Sequence, residues 1–342
     1  MPDKLSVAII GAGLIAGGYD RGRRSNDGVF SHAGAYINDG RFFLDTVVDI
    51  LSARAEEFRK EWQVGSAFTS VEDICRQRYD VVSVCTPDST HFETIRNLIK
   101  HRCCKTIFAE KPLAFCREEI IELTGLASES GINIVVNFQR RFEPSHEEIR
   151  QLVASGKTRL LAGNAYYIKG LEHIGTTMID TLVFLCGMPR KVLAFNRVFN
   201  NEVNEYSYDF ILYYDGFNIT VKTVDSEFTL YNYHIFEVDF LFADRRITLN
   251  DNSRQLVVRE LTGYAYSGVK VLDDRGPHSM PTGYPHAMSA AVDYIHRVTT
   301  GCTTHTINTP EESSVNKLIV DAIVSSHEQS KAIDIGERLW NR

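Results

Sequence analysis

Hydrophobic and polar positions along the chain fall into two regimes. From Val7 to Val136, short apolar runs alternate with amphipathic stretches of helical period. Val7–Ile10, Arg41–Ile50, Tyr79–Cys85, Lys105–Ala109 and Ile132–Val136 read as strands, with helices predicted over Phe92–Lys100 and Arg117–Ser130. The run Tyr79–Cys85 shows little polar alternation, the pattern of a strand buried on both faces. Such strand–helix alternation predicts a doubly wound parallel sheet. After Asn137 the pattern changes. Helices are expected from Pro144 to about Ala154 and over Thr176–Cys186, which Gly187 and Pro189 would stop. Ala165–Ile168 looks like a strand. From Val192 to about Val271 alternating segments prevail, notably Tyr206–Tyr214 and Phe236–Phe242, with turn signals at Asp215-Gly216 and Asn250-Asp251-Asn252. This predicts a mostly antiparallel sheet with one covered face. Tyr206, Tyr208, Tyr213, Tyr231 and Tyr233 are candidates for a subunit interface or for cross-strand packing. Helices near Pro285–Thr299 and Pro310–Gln329 close the sequence.

The first strand runs into Gly11-Ala12-Gly13-Leu14-Ile15-Ala16, a G-x-G-x-x-A turn. In a strand–turn–helix setting this is the phosphate-binding turn of a dinucleotide fold. Gly11 allows the tight turn, Gly13 lets a pyrophosphate approach the backbone, and Ala16 lets a helix sit close to the sheet. The helix start, at Leu14 and Ile15, is expected to offer free N–H groups and a positive dipole end. Asp49 ends the second strand, where an acidic residue accepts hydrogen bonds from ribose hydroxyls and repels a 2′-phosphate. The cofactor expected is therefore NAD, with NADP possible if Arg21, Arg23 or Arg24 reaches a 2′-phosphate. The long gap between Gly13 and Asp49 implies an enlarged first loop over Arg21–Ser31. Strand ends at Gly11, Asp49, Thr86 and Glu110 should gather at the carboxyl edge of the sheet. The fold expected is thus α/β: a Rossmann doubly wound parallel sheet over 1–136, and over 137–342 a substrate-binding and oligomerisation α+β domain with a large, mostly antiparallel open sheet.

Composition narrows the partners. The chain has 342 residues, 44% hydrophobic and 24% charged, and a formal net charge of −7, which argues against a nucleic-acid footprint. No apolar run approaches the ~18 residues that span a bilayer. The N-terminus lacks a signal peptide's features, so a cytoplasmic protein without a membrane partner is expected. The seven cysteines include no C-x-x-C pair, and neither a disulfide framework nor a structural metal is expected.

Several landmarks then match one pattern in order: GAGLIA, the strand ending at Asp49, VVSVCTPDSTH, AEKPLAF, VNFQRRFEP, and KGLEHIGTTMID closed by FLCG. Together they resemble the glucose–fructose oxidoreductase, inositol dehydrogenase and MocA family (Gfo/Idh/MocA). The resemblance implies an NAD(P)-dependent oxidoreductase that moves a hydride to or from a carbinol or keto carbon of a sugar, sugar derivative or nucleotide-linked sugar. It also implies a homodimer or homotetramer built through the C-terminal sheet. Lys111, in Glu110-Lys111-Pro112, stands where the family keeps a lysine beside the nicotinamide and the reacting hydroxyl. A cation or acid there can stabilise or protonate the alkoxide-like oxygen. Thr86 and Pro87 stand in the cofactor groove, and His91 follows in the same motif. Arg140 and Arg141 look like the family's interdomain arginines, Arg140 on the substrate side.

The substrate motif departs from the family's D-x-G-x-H-x-x-D. Aligned on Gly175 and Asp180, the chain has His173 for the Asp and Thr177 for the His. Tyr167-x-Lys169-Gly170 resembles a subgroup found with surface-polysaccharide and nucleotide-sugar genes. His173 either supplies the displaced imidazole as a catalytic group, with Lys169, Thr177 and Asp180 facing the substrate, or chemistry rests on Lys111 alone or is absent. Two alternatives therefore accompany the dehydrogenase reading. One is a non-catalytic nucleotide-binding sensor or scaffold; the other is an NAD-dependent glycosidase or dehydratase using transient oxidation.

Overall fold

The computed structural model describes residues 4–22, 28–224, 235–264, 269–272 and 278–336. Among these the strands are β1 (Leu5–Ile10), β2 (Phe42–Val48), β3 (Ser66–Phe68), β4 (Tyr79–Val84), β5 (Cys104–Ala109), β6 (Asn133–Val136), β7 (Leu160–Tyr167), β8 (Lys191–Asn200), β9 (Glu205–Tyr213), β10 (Asn218–Thr223), β11 (Phe236–Phe242), β12 (Arg245–Asn250), β13 (Gln255–Tyr264), β14 (Lys270–Leu272), β15 (His278–Pro281) and β16 (Ile333–Asp334). The α-helices are α1 (His32–Asp39), α2 (Ser52–Trp62), α3 (Val71–Ile74), α4 (His91–Lys100), α5 (Arg117–Ser130), α6 (Pro144–Ser155), α7 (Thr176–Cys186), α8 (Ala287–Thr299) and α9 (Pro310–Gln329). The expected interface residues Tyr231 and Tyr233, and the arginines Arg23 and Arg24, lie outside the described residues.

The chain divides into two compact units, Met1–Phe142 with Pro285–Val315, and Glu143–Tyr284 with Asn316–Arg342. A single cut between 136 and 137 is therefore corrected. The reason is packing. Met288, Ala291, Val292, Ile295 and Val298 of α8 share one hydrophobic core with Val7, Ile9, Tyr36, Phe42 and Phe108. A helix near Pro285–Thr299 was legible in the sequence, but the surface it covers was not.

In the first unit the parallel sheet runs β3-β2-β1-β4-β5-β6. The order reverses between β1 and β4, so the turns after these two strands flank the switch point at the carboxyl edge. β4 is buried along nearly its whole length, as its apolar run predicted. In the second unit, ten strands form a mixed sheet in the order β14-β13-β12-β11-β7-β10-β9-β8-β16, with β15 beside β13. β7 and β10 pair in parallel; the remaining neighbours on the path are antiparallel. Inward positions such as Phe210, Leu212, Ile219, Val221, Val238 and Phe240 are fully buried. Of the tyrosines expected on the surface, Tyr206 is exposed and packs against Phe199 at 5.0 Å, while Tyr208 is buried against the ring of His327.

Candidate active site

The first unit brings its sequence-predicted residues to one sheet edge. Gly11 leaves β1 at φ +90°, and a β-carbon there would lie 2.5 Å from the carbonyl oxygen of Cys85. Only glycine permits this crossing of the chain just beyond β4. The expected helix after the turn is corrected. Residues 13–17 form wide turns, Gly18–Asp20 a short 3-10 segment, and α1 begins only at His32. Asp20 is buried and accepts the Ser31 N–H at 2.8 Å and the Phe30 N–H at 3.1 Å, just before α1. The first N–H groups of α1 are consumed inside the protein: His32 donates to Ile15 O, Ala33 to Ala16 O and Gly34 to Ser31 Oγ. A phosphate therefore has no claim on the start of α1. The amides of Gly13, Leu14, Ile15 and Ala16, by contrast, have no backbone acceptor among the described residues. A β-carbon on Gly13 would meet nothing within 4 Å. Nothing in the protein requires glycine there, and the open N–H face fits a pyrophosphate.

Asp49 sits where expected, buried past the end of β2. Its carboxylate is already partly engaged: Oδ2 accepts the Ala12 N–H at 3.0 Å, and Oδ1 accepts the Leu51 N–H at 2.9 Å. Arg54 Nη1 stands 3.5 Å from Oδ2. Each carboxylate oxygen can accept about two hydrogen bonds, so free capacity remains on Oδ1. Arg21 is paired with Glu57 at 3.0 Å and with Glu61 at 2.8 Å.

Glu110 and Lys111 follow β5. Glu110 Oε1 receives the Asn137 side-chain amide at 2.6 Å and lies 2.9 Å from His32 Nε2. The other ring nitrogen of His32 is 3.1 Å from Ser83 Oγ, which also meets the Tyr36 hydroxyl at 2.9 Å. Burial raises the Glu110 carboxyl, but the His32 hydrogen bond and charge outweigh it and hold the group below its ordinary value. Because Tyr36 and His32 are wholly buried, this chain ends inside the protein. It fixes the turn that carries Lys111. Sequence reasoning missed His32, Ser83 and Asn137; a histidine at the start of an amphipathic helix gave no local signal of its partner 78 residues on. The Lys111–Pro112 peptide bond is cis.

His91 is corrected from a groove-lining residue to a buried tie. It is 0% exposed, with Nδ1 2.7 Å from Pro112 O and Nε2 2.9 Å from Thr86 O. It fastens together the turns that follow β4 and β5. Thr86 is half-buried and Pro87 exposed on that edge. Arg140 and Arg141 are both buried; Arg141 forms an ion pair with Glu312 and lies over the Phe138 ring.

The second unit carries the other candidates. Gly170–Gly175 form a π-helical turn that runs directly into α7, with Gly175 itself helical. His173 and Thr177 therefore lie one turn apart on a continuous helical segment, close to the same face. Both are half-buried, and the Thr177 hydroxyl has no hydrogen-bond partner among the described residues. Lys169 is held by Glu202 at 2.7 Å. Asp180 is corrected from a substrate-side residue to a structural one: it is 1% exposed and accepts from Asn316 at 2.7 Å. Glu172 pairs with Lys317 at 2.6 Å. Burial raises the Glu172 carboxyl despite that pair.

Comparison with known proteins adds a resemblance. Residues 5–138 match the GFO_IDH_MocA profile, described as an oxidoreductase family with an NAD-binding Rossmann fold. The chain is 30% identical over 164 residues to scyllo-inositol 2-dehydrogenase (NAD(+)) of Bacillus subtilis, covering 44% of this chain and 46% of that protein. It is 28% identical over 153 residues to D-glucoside 3-dehydrogenase of Escherichia coli, covering 44% and 40%. The chain thus spans a third to about half of the length of the curated relatives it matches. A levoglucosan dehydrogenase solved with NADH and levoglucosan superimposes with a TM-score of 0.78, at 17% identity, over 97% of this chain and 99% of that one. At that identity the likeness is one of fold.

Proposed function

We propose that this protein, whose residues 5–138 match the profile of an oxidoreductase family with an NAD-binding Rossmann fold, is an NAD(P)-dependent dehydrogenase or reductase acting on a carbinol or keto carbon of a sugar or polyol. The observation that carries the reading is the pairing, on one sheet edge, of the open N–H face at Gly13–Ile15 with Lys111 on a turn fixed by a buried network. Gly13, Leu14 and Ile15 would hold the pyrophosphate, and Asp49 Oδ1 a ribose hydroxyl. Bound NAD(P) supplies the hydride acceptor or donor. Lys111 holds the substrate oxygen and takes or returns its proton as the carbon–hydrogen bond breaks or forms. His173 replaces the imidazole that the family places at position 177, one helical turn earlier. The narrower reading of a nucleotide-linked sugar is weakened by the Lys169–Glu202 pair, which neutralises the cation that would meet a diphosphate.

Exposed Phe195, Phe199 and Tyr206 on the second sheet support a homodimer or homotetramer formed through that face, which light scattering would test.

The functional test is isotope tracing. Protein and its Lys111→Ala variant are incubated with 4-deuterated NADH and a pool of keto-sugars and keto-inositols, and products are read by mass spectrometry. Deuterium transfer that depends on Lys111 is expected. Transfer undiminished in the variant would remove Lys111 from the chemistry. No transfer in either direction, with NADH bound, would favour a non-catalytic protein.

A further inference from the structure

The turn that carries His173 is shaped by a residue outside it. We infer that Glu205, the first residue of β9, is a positioning residue that fixes the direction of the His173 side chain. The inference deepens the proposed function, since it rests on His173 facing the substrate.

The chain leaves β7 with Lys169 in the left-handed region at φ 64° and Gly170 at φ 82°. A β-carbon on Gly170 would overlap the Glu205 carboxylate, so glycine leaves the space that the carboxylate occupies. From there Glu205 Oε1 accepts the His173 N–H at 3.0 Å and Oε2 accepts the Glu172 N–H at 3.3 Å. These are amides at the start of a helical segment, which are left without intrahelical acceptors unless a side chain caps them. Two further ties come from the same β8–β9 hairpin. The Gly170 N–H meets Ser207 Oγ at 2.9 Å, itself held by Asn200 at 2.7 Å, and Lys169 meets Glu202.

A π-turn winds one residue more than an α-turn and rotates every side chain ahead of it relative to the helix that follows. The capped amide of His173 thus sets which way the imidazole projects relative to Thr177. A residue 32 positions away decides the geometry of the candidate acid–base group.

The test uses the full-length protein with NADH bound. In Glu205→Ala the amides of Glu172 and His173 should lose protection from hydrogen exchange and the His173 ring resonances should move. Amides over Leu182–Cys186 and NADH affinity should be unchanged. On the substrate identified by deuterium tracing, kcat should fall on the order of tenfold or more with KM little altered. Glu205→Gln, which keeps one acceptor and the side-chain length, should recover most of it. In a His173→Ala background, Glu205→Ala should have no additional effect on kcat. Unmoved His173 resonances in Glu205→Ala, or an undiminished kcat effect in the His173→Ala background, would overturn the inference. Should Glu205→Ala fail to fold, Glu205→Asp, which keeps the charge but withdraws the carboxylate from the two amides, must give the same spectral change. A wild-type protein that turns over nothing would count against the function alone, because the exchange and ring signals still decide the placement.

Discussion

Three glycines of one turn should respond to alanine in three different ways. At Gly11 an alanine meets a left-handed backbone (φ +90°), costing about 1–2 kcal/mol. Its β-carbon would also stand 2.5 Å from the Cys85 carbonyl oxygen, and relieving an overpacked contact costs about 1–3 kcal/mol more. The neighbour is backbone and cannot swing away, so a loss of about 2–5 kcal/mol is expected, a fall in Tm of roughly 5–15 °C. At Gly17 the β-carbon would meet the Trp62 indole and, at 2.6 Å, Phe58 Cε2. These side chains can shift, so the loss should be smaller, about 1–3 kcal/mol. At Gly13 the new atom meets nothing within 4 Å, and φ is not positive. Stability should hold or rise by up to about 1 kcal/mol as the unfolded chain loses freedom. NADH affinity should nevertheless drop on the order of tenfold, about 1.4 kcal/mol, because the β-carbon stands where the pyrophosphate approaches. Thermal melts without cofactor and fluorescence titration with NADH separate the effects. Gly13→Ala melting as early as Gly11→Ala, or binding NADH like the parent protein, would refute the reasoning.

Further expectations concern the charged groups. Lys111→Ala should abolish turnover while leaving the Kd for NADH within about threefold, a split that steady-state kinetics and titration resolve. Asp49→Asn should narrow the preference for NADH over NADPH and Arg54→Ala should widen it, since the two charges oppose each other beside the ribose site; equal ratios in all three proteins would exclude both from cofactor choice. His32→Phe should cost about 3 kcal/mol in a urea melt, because Glu110 and Ser83 lose a buried partner, and should lower kcat more than NADH affinity. Glu143 is wholly buried; burial raises its carboxyl, but the His146 hydrogen bond and charge draw it down from 4.5 to about 2. A depressed carboxyl stabilises the fold above its unfolded value and loses that contribution as pH falls through its folded value. About 3 kcal/mol should therefore vanish between pH 4.5 and about 2, and a Glu143→Gln variant should show a flatter acid melt.

What the sequence determined by itself was local and periodic. The unbroken apolar run of β4, the stop signals at Gly187 and Pro189, and the alternation over Phe236–Phe242 each fix an element through forces acting within a few residues. The G-x-G-x-x-A turn was legible for the same reason, since a turn at a strand end constrains its residue types directly, whereas Lys111 stood out through the family resemblance. Short elements such as β3 and α3 escaped because three or four residues carry no measurable period. Tertiary structure alone decided the partners. His91 reads as a groove residue until two carbonyls, one of them 21 residues away, are seen to enclose it. Asp180 reads as a substrate group until Asn316 claims it from a helix 136 residues later. Helix α8 belongs with the first sheet because its apolar stripe fits that core, and nothing in its own residues names the surface it will cover. Propensity acts along the chain, whereas hydrogen-bond satisfaction and close packing act across space. The residues that position the site were therefore the ones the sequence left unspoken.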